Sequence, residues 1–249
     1  MVRIFKIKLL DDVRVNGKVL IVGLPGMGGV AYTVANYLIT SLRSKLVAEL
    51  YSYSYPPQLG VSDGRAYLIK AYLYETPSAL LLTANAQPPT NEAQNEFCDT
   101  ILEYLSRRGL SKVIATAAYV VSSVGRNRNV YIAGNDKDIL EEFVKLGAQP
   151  LSSGVISGVN GAIVGWASYY DIPAAVLLAE TWDAIVQLDE VDYRAAKHLL
   201  SVISRYLGVE VNLVELDGLA DNIEVRVMNM IARSIKQQME VKKGPESVM

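Results

Sequence analysis

Along the chain, short runs of apolar, often β-branched residues alternate with longer stretches in which apolar positions fall three or four apart. This is the pattern of buried strands covered by amphipathic helices. Lys18 to Val22 forms the first compact run, a glycine loop follows, and Val30, Val34, Tyr37, Leu38 and Leu42 then mark one helical face. The opening Met1 to Lys8, apolar and basic in alternation, predicts a first strand. Leu46 to Tyr55 predicts another, and Leu59 to Ser62 with Arg65 to Tyr74 predict hairpin arms around the turn pair Asp63-Gly64. Ala79 to Thr83 reads as a fully buried strand. After Pro88-Pro89, Asn91 and Gln94 form a capping pair for a helix that buries Phe97, Ile101 and Leu105 and stops at Gly109.

The second half repeats the alternation. Lys112 to Ala118 and Val130 to Ala133 predict strands, and a helix carrying Ile139, Leu140, Phe143 and Leu146 closes at Gly147. The segment Gly154 to Gly161 is a second glycine-rich entry into a helix of small residues. Ala174 to Ala179 predicts a strand, and Tyr193 to Leu207 a helix ended by Gly208. The last element, Leu216 to Val241, places Ile223, Val227, Met230, Ile231 and Ile235 on one face. No Pro/Gly/Ser-rich linker divides the chain. The expectation is one α/β domain with a mixed, mostly parallel sheet covered by helices, plus a C-terminal amphipathic helix.

Composition narrows the chemistry. A hydrophobic fraction of 51% against 20% charged excludes disorder. With 24 basic and 26 acidic side chains the formal charge is 24 − 26 = −2, which offers no electrostatic ground for nucleic acid or an anionic membrane. Arg126, Arg128 and Lys242-Lys243 are too scattered to form a basic patch. Only one histidine, His198, and one cysteine, Cys98, occur in the 249 residues. They supply neither a zinc ligand set nor an internal disulfide. No signal-peptide pattern opens the chain and no long uninterrupted apolar run occurs; Ser157, Asn160 and Asp171 break the richest stretch, Val155 to Leu178. A soluble, cytoplasmic protein without metal or cofactor is expected.

The most suggestive segment is Val22 to Ala31. From Gly26 it satisfies Gly-x-Gly-x-x-Ala between a strand and a helix, with Glu49 placed downstream where a ribose-binding acid would stand. A nucleotide- or nucleoside-binding enzyme or sensor using Gly23, Gly26, Gly28 and Glu49 is therefore an alternative reading. Against it, Leu24-Pro25 lengthens the turn, Pro25 removes an amide donor, and Glu49 falls inside a strand. The other reading is that the glycines supply positive φ and close helix-to-strand packing. No Gly-Lys-Ser/Thr follows for a Walker A loop, and Ser157 lacks the Gly-x-Ser-x-Gly frame. A Ser-His-acid triad would have to use His198, which sits on a helix among Ala195, Leu199 and Val202.

These segments resemble the PAC2 family, the archaeal and bacterial relatives of eukaryotic proteasome assembly chaperone 2. Gly23-Leu24-Pro25-Gly26-Met27-Gly28-Gly29-Val30 is similar to the family's opening motif, Tyr55-Pro56-Pro57-Gln58 to its aromatic-Pro-Pro segment, and Gln87-Pro88 with Gln94 to its Gln-Pro turn and helix. Gly158 to Gly165, including Gly161, resembles the second glycine-rich segment, and Ala179-Glu180-Thr181 a Gly-Glu-Thr strand end with alanine in place of glycine. The resemblance covers about residues 18–207, with the C-terminal helix and tail at about 212–249. It implies a fold similar to nucleoside phosphorylases, a homo-oligomer and a non-enzymatic role as a chaperone binding proteasome α subunits. Family members that dock on the proteasome resemble one another in a hydrophobic-Tyr-any tail, whereas Glu246-Ser247-Val248-Met249 has no penultimate tyrosine. Docking through a tail is therefore not implied, and another surface is left open.

Fifteen tyrosines against three phenylalanines add a further expectation. Tyr51, Tyr53 and Tyr55 alternate and would project from one strand face, as would Tyr72 and Tyr74 on the hairpin arm. An oligomer or partner surface near Pro56-Pro57 and an ordinary solvated sheet face are both consistent with this spacing. The C-terminal helix leaves the same choice, between its own domain and a neighbouring copy.

Overall fold

Val19, Leu20, Ile21 and Val22 are all buried, so the strand they form must be covered on both faces. In the computed structural model, which describes residues 5–242 without the side chains of Ile235 and residues 237–242, this strand lies at the centre of a nine-stranded sheet. The strands are β1 (Phe5–Leu9), β2 (Val19–Val22), β3 (Lys45–Ser52), β6 (Ala71–Glu75), β7 (Ala79–Ala84), β8 (Lys112–Val121), β9 (Val130–Gly134), β10 (Gln149–Pro150) and β11 (Ala174–Trp182). Their order is β1-β3-β6-β7-β2-β8-β11-β9-β10. The central block β7-β2-β8-β11 is parallel, and antiparallel pairings extend it on both sides. A separate hairpin, β4 (Leu59–Ser62) with β5 (Arg65–Leu68), stands off the main sheet.

Period-two alternation divides β2 between two cores. Leu20 and Val22 face the layer built by α2 (Asn91–Ser106) and α4 (Val159–Tyr169), which contributes Phe97, Ile101, Leu105 and Ile163. Val19 and Ile21 face the opposite layer, built by α1 (Val30–Ser41), α3 (Lys137–Lys145) and α6 (Tyr193–Leu207). Cys98 lies fully buried in the first layer, where burial raises its thiol pKa. The short α5 (Asp183–Gln187) follows β11, and α7 (Val214–Lys242) ends the described chain. Among the described residues no helix is long and apolar enough to cross a membrane.

Several local expectations are corrected. Thr90, not Asn91, caps α2, its hydroxyl accepting from the Ala93 N–H at 3.2 Å, while Gln94 reaches back to the Pro88 carbonyl at 2.9 Å. The arm Arg65 to Tyr74 is two strands, because Lys70 exchanges backbone bonds with Asn85 through its N–H to Oδ1 (3.2 Å) and its carbonyl to N (3.0 Å). Tyr51, Tyr53 and Tyr55 do not share a strand face: β3 ends at Ser52, Tyr53 is exposed in the turn, and Tyr55 is buried. Tyr72 and Tyr74 do alternate along β6, with ring centroids 6.4 Å apart. The four C-terminal residues that lack the family's tyrosine lie outside the described residues.

The first half of α7 is held by a buried ion network. Arg194 on α6 reaches Asp221 at 2.5 Å and Glu224 at 2.7 Å, and Arg128, whose side chain is almost fully enclosed, reaches Glu224 at 2.9 Å and Asp192 at 3.5 Å. Ion pairs taken out of water stabilise a fold only while every partner is present, and removal of one leaves an uncompensated charge. Glu224→Ala, which leaves two enclosed guanidiniums short of an acceptor, is expected to lower stability by about 2–3 kcal/mol. The checks are the urea midpoint and faster amide exchange over the first turns of α7.

Candidate functional site

The chain leaves β2 through the glycine loop. Gly23 still belongs to the sheet, its N–H bonded to the Leu82 carbonyl at 3.0 Å and its carbonyl accepting from the Thr83 hydroxyl at 2.9 Å. Leu24 is buried beyond the last strand pairing, so its backbone needs other partners. Asn160, in the first turn of α4, supplies both: its Oδ1 accepts from the Leu24 N–H and its Nδ2 donates to the Leu24 carbonyl, each at 3.0 Å. Gln87 adds a second strut, donating from Nε2 to the Pro25 carbonyl at 2.6 Å and accepting at Oε1 from the Val159 N–H at 2.8 Å. Gly158 takes φ +79° beside it, where a Cβ would stand 2.7 Å from Gln87 Oε1. Gly161 backs onto Ile156. The opening motif, the Gln-Pro turn and the second glycine segment thus meet at one joint.

The set required by the alternative cofactor reading is not brought together. Gly28 sits at φ +57°, and a Cβ there would come within 2.8 Å of Thr181 Cγ2; one on Gly29 would stand 3.1 Å from Val191 Cγ2. The start of α1 is therefore faced by protein side chains. Gly26 is extended, next to the amides of Asn160 and Gln87. Glu49 lies on β3, with β6 and β7 between it and β2, about 14 Å away at ordinary strand spacing. It is occupied there by Lys70, by the Tyr51 hydroxyl at 2.7 Å and by Lys8 at 3.8 Å. Burial alone would raise the Glu49 carboxyl, but the hydrogen bonds from Lys70 and Tyr51 and the lysine charges outweigh it and hold the group below its ordinary 4.5. His198 is half-buried with its ring nitrogens against the backbone of Arg194 (2.8 Å) and Arg128 (3.4 Å), so no serine–acid pair frames it. Among the described residues no group of three or more His, Cys, Asp or Glu could hold a metal ion.

The aromatic-Pro-Pro segment divides by burial. Tyr55 packs edge-on to Phe5 and donates to the Ala86 carbonyl at 3.2 Å. Tyr53 projects into solvent with the Lys6 ammonium over its ring, and Pro56 and Pro57 are exposed beside it. Leu59, Val61 and Leu68 of the β4–β5 hairpin are each more than half exposed. Glu180, expected at a strand end, lies within β11 and accepts from the Asn129 N–H (3.0 Å) and side chain (2.9 Å) and from the Tyr131 hydroxyl (3.0 Å). It braces the loop before β9.

Beyond the joint opens a cleft of about 500 Å³, lined by Gly26, Met27 and Gln87, by Ala117 to Val120 of β8 and by the Leu151–Gly158 segment. Among the described residues no charged side chain lines it. Asn160 was not among the residues expected at this site, although it stands out in the sequence as a polar interruption of the richest apolar stretch.

Two outcomes follow from these bonds. Asn160→Asp, which cannot donate to the Leu24 carbonyl and buries a charge, is expected to cost about 2–4 kcal/mol, and Gln87→Ala about 1–3 kcal/mol, by denaturant titration. Glu49 and Lys70 give a pH signature. A carboxyl pKa lowered in the folded state contributes stability above the unfolded value and loses it as pH falls through the folded one. The stability difference between the wild type and Lys70→Met, measured by urea unfolding, should therefore be largest near neutrality and shrink once pH drops below 4.5, the ordinary carboxyl value.

Known proteins share this fold. The sequence profile of the PAC2 family matches residues 20–231. An uncharacterized protein of Methanocaldococcus jannaschii is 26% identical over 229 residues, which covers 90% of this chain and 87% of that protein. Among solved structures, Pyrococcus furiosus PbaB, an archaeal proteasome activator, superposes with a TM-score of 0.81 at 23% identity, over 94% of this chain and all of PbaB. Pyrococcus furiosus PbaA, an archaeal homolog of proteasome-assembly chaperone, does so with a TM-score of 0.77 at 26% identity, over 97% of this chain and 99% of PbaA. With its glycine loop, Gln-Pro turn and second glycine segment locked into one joint, and the family profile running across most of its length, the chain belongs to the PAC2 family.

Proposed function

We propose that this protein is a non-enzymatic assembly chaperone that works as a homo-oligomer and binds proteasome α subunits. The observation that carries the reading is the likeness to PbaA over nearly the whole chain. Local chemistry is consistent with it. The polar groups of the family motifs are spent inside the fold: Gln87 and Asn160 on backbone, Glu180 on Asn129 and Tyr131. Apolar groups, by contrast, face outward.

In this reading the client surface is the tyrosine–proline face. Tyr53, Pro56, Pro57, Leu59, Val61 and Leu68 lie on or beside a two-stranded hairpin that does not join the main sheet. A lone hairpin of this kind is marginal in water and gains from being covered. Aromatic and apolar side chains at that density suit the centre of an interface. Self-association is supported by a different element, α7, where Val225, Met228 and Ile231 are exposed beyond the ion network.

Co-purification and native mass spectrometry with the α subunits of the same organism test the reading. A complex is expected with the wild type, and Leu59→Glu combined with Val61→Glu should abolish it while changing stability by only about 0.5 kcal/mol per site. No complex at micromolar concentrations refutes the proposal. An arm with assembled proteasome in place of free α subunits separates assembly from activation.

A further inference from the structure

The cleft beside the glycine loop contains an unfinished piece of sheet. β8 pairs with β11 along its length, from Val113 opposite Ala174 to Val121 opposite Trp182, but it pairs with β2 only as far as Ala115 opposite Val22. There β2 stops, and after Gly23, which is still bonded to Leu82 and Thr83 of β7 on the other side, the chain turns away. From Ala117 to Val121, the edge of β8 that faces away from β11 has no strand partner among the described residues. In a parallel ladder alternate residues direct their N–H and C=O groups to opposite neighbours, so this edge presents unpaired donors and acceptors into the cleft.

Exposure follows the same boundary. Val113 to Thr116 are all buried, whereas Ala117 and Ala118 are half-buried and Tyr119 and Val120 are exposed. Consecutive strand residues point to opposite faces. Exposure of both Tyr119 and Val120 therefore means that the sheet is uncovered on both sides there. Two exposed apolar side chains flank the opening: Met27, at the entry to α1 on one face of the sheet, and Val155, ahead of α4 on the other. With no charged group among the described residues of the lining, a guest carrying a charge into the cleft would lose its hydration without compensation.

We propose that this cleft binds an extended, uncharged peptide segment of a partner polypeptide by strand addition to β8, with backbone bonds to Ala117–Val121 and alternate apolar side chains against Met27 and Val155. About five residues fit, at ~3.3 Å per residue along the open edge. The surface is separate from the tyrosine–proline face and does not depend on which client that face takes.

The test uses the full chain and a dye-labelled, capped peptide of alternating valine and threonine, about six residues long to match the edge. Saturable binding is read by fluorescence anisotropy, together with slowed amide exchange at Ala117–Val121. Two N-methylated versions, blocking the odd or the even backbone N–H groups, provide the discriminating readout. Strand addition predicts that one of them binds on the order of tenfold or more weakly while the other binds nearly as well as the parent. An aspartate in place of the central valine should weaken binding, and so should Val155→Asp in the protein, whose melting temperature should not change because Val155 is fully exposed. The proposal is overturned if the peptide does not saturate, if both N-methylated versions bind like the parent, or if protection appears away from β8. It is also overturned if Ala117–Val121 becomes protected with rising protein concentration alone, which would make a second copy of the chain the occupant.

Discussion

Leu24 is buried at the point where β2 has ended and α1 has not begun, and its backbone bonds run to a single side chain. The Asn160 amide serves as one rung of the missing ladder, donor to carbonyl and acceptor to N–H. Because an unsatisfied buried amide costs far more than a made hydrogen bond contributes, this contact fixes where the loop lies. The rest of the region inherits that position. Gln87 takes its bearings from the Pro25 carbonyl and the first turn of α4, Gly28 seats α1 against Thr181, and the neighbouring strand is left longer than its partner.

The glycines and amides of these motifs are joinery, and the chemistry available to a partner lies around them. Side chains that would bind a phosphate or a ribose are absent from the start of α1, which is roofed by Thr181, Val186 and Val191. The strongest charge clustering sits at the contact of α6 with α7, where Arg128 and Arg194 tie α7 down. The polar groups of these motifs are thus spent on assembling the monomer, while the cleft and the hairpin expose apolar side chains such as Met27, Val155, Leu59 and Val61.

How far the fold was legible depended on whether each decision was local. Val19–Val22, Leu80–Leu82 and Val113–Ala115 read as strands from composition alone, and Gly109, Gly147 and Gly208 marked their helix ends through the left-handed conformation each adopts. The break between β5 and β6 was not legible, because it is set by Asn85, which lies fifteen positions from Lys70 and pairs with it only once the sheet has formed. Tyr53 and Tyr55 obeyed strand spacing, but the chain turns at Ser52 and separates them into solvent and core. At the site, spacing misled in one direction and concealed in the other. Glu49 stood at a suitable distance along the chain, which says nothing about the two strands that come between, while Asn160 and Leu24 are 136 residues apart and nothing local announces their pairing.

The solitary thiol has a kinetic meaning. Cys98 is sealed between α2 and α4, with its sulfur 4.0 Å from the carbonyl of Val159, the residue that precedes the Asn160 clamp. A reagent can reach it only when those helices lift from the sheet, and burial also suppresses the thiolate that would react. Its rate of modification therefore times the opening of the layer that holds the glycine loop in place. With no second cysteine in the sequence to compete, the chain carries its own clock for that event.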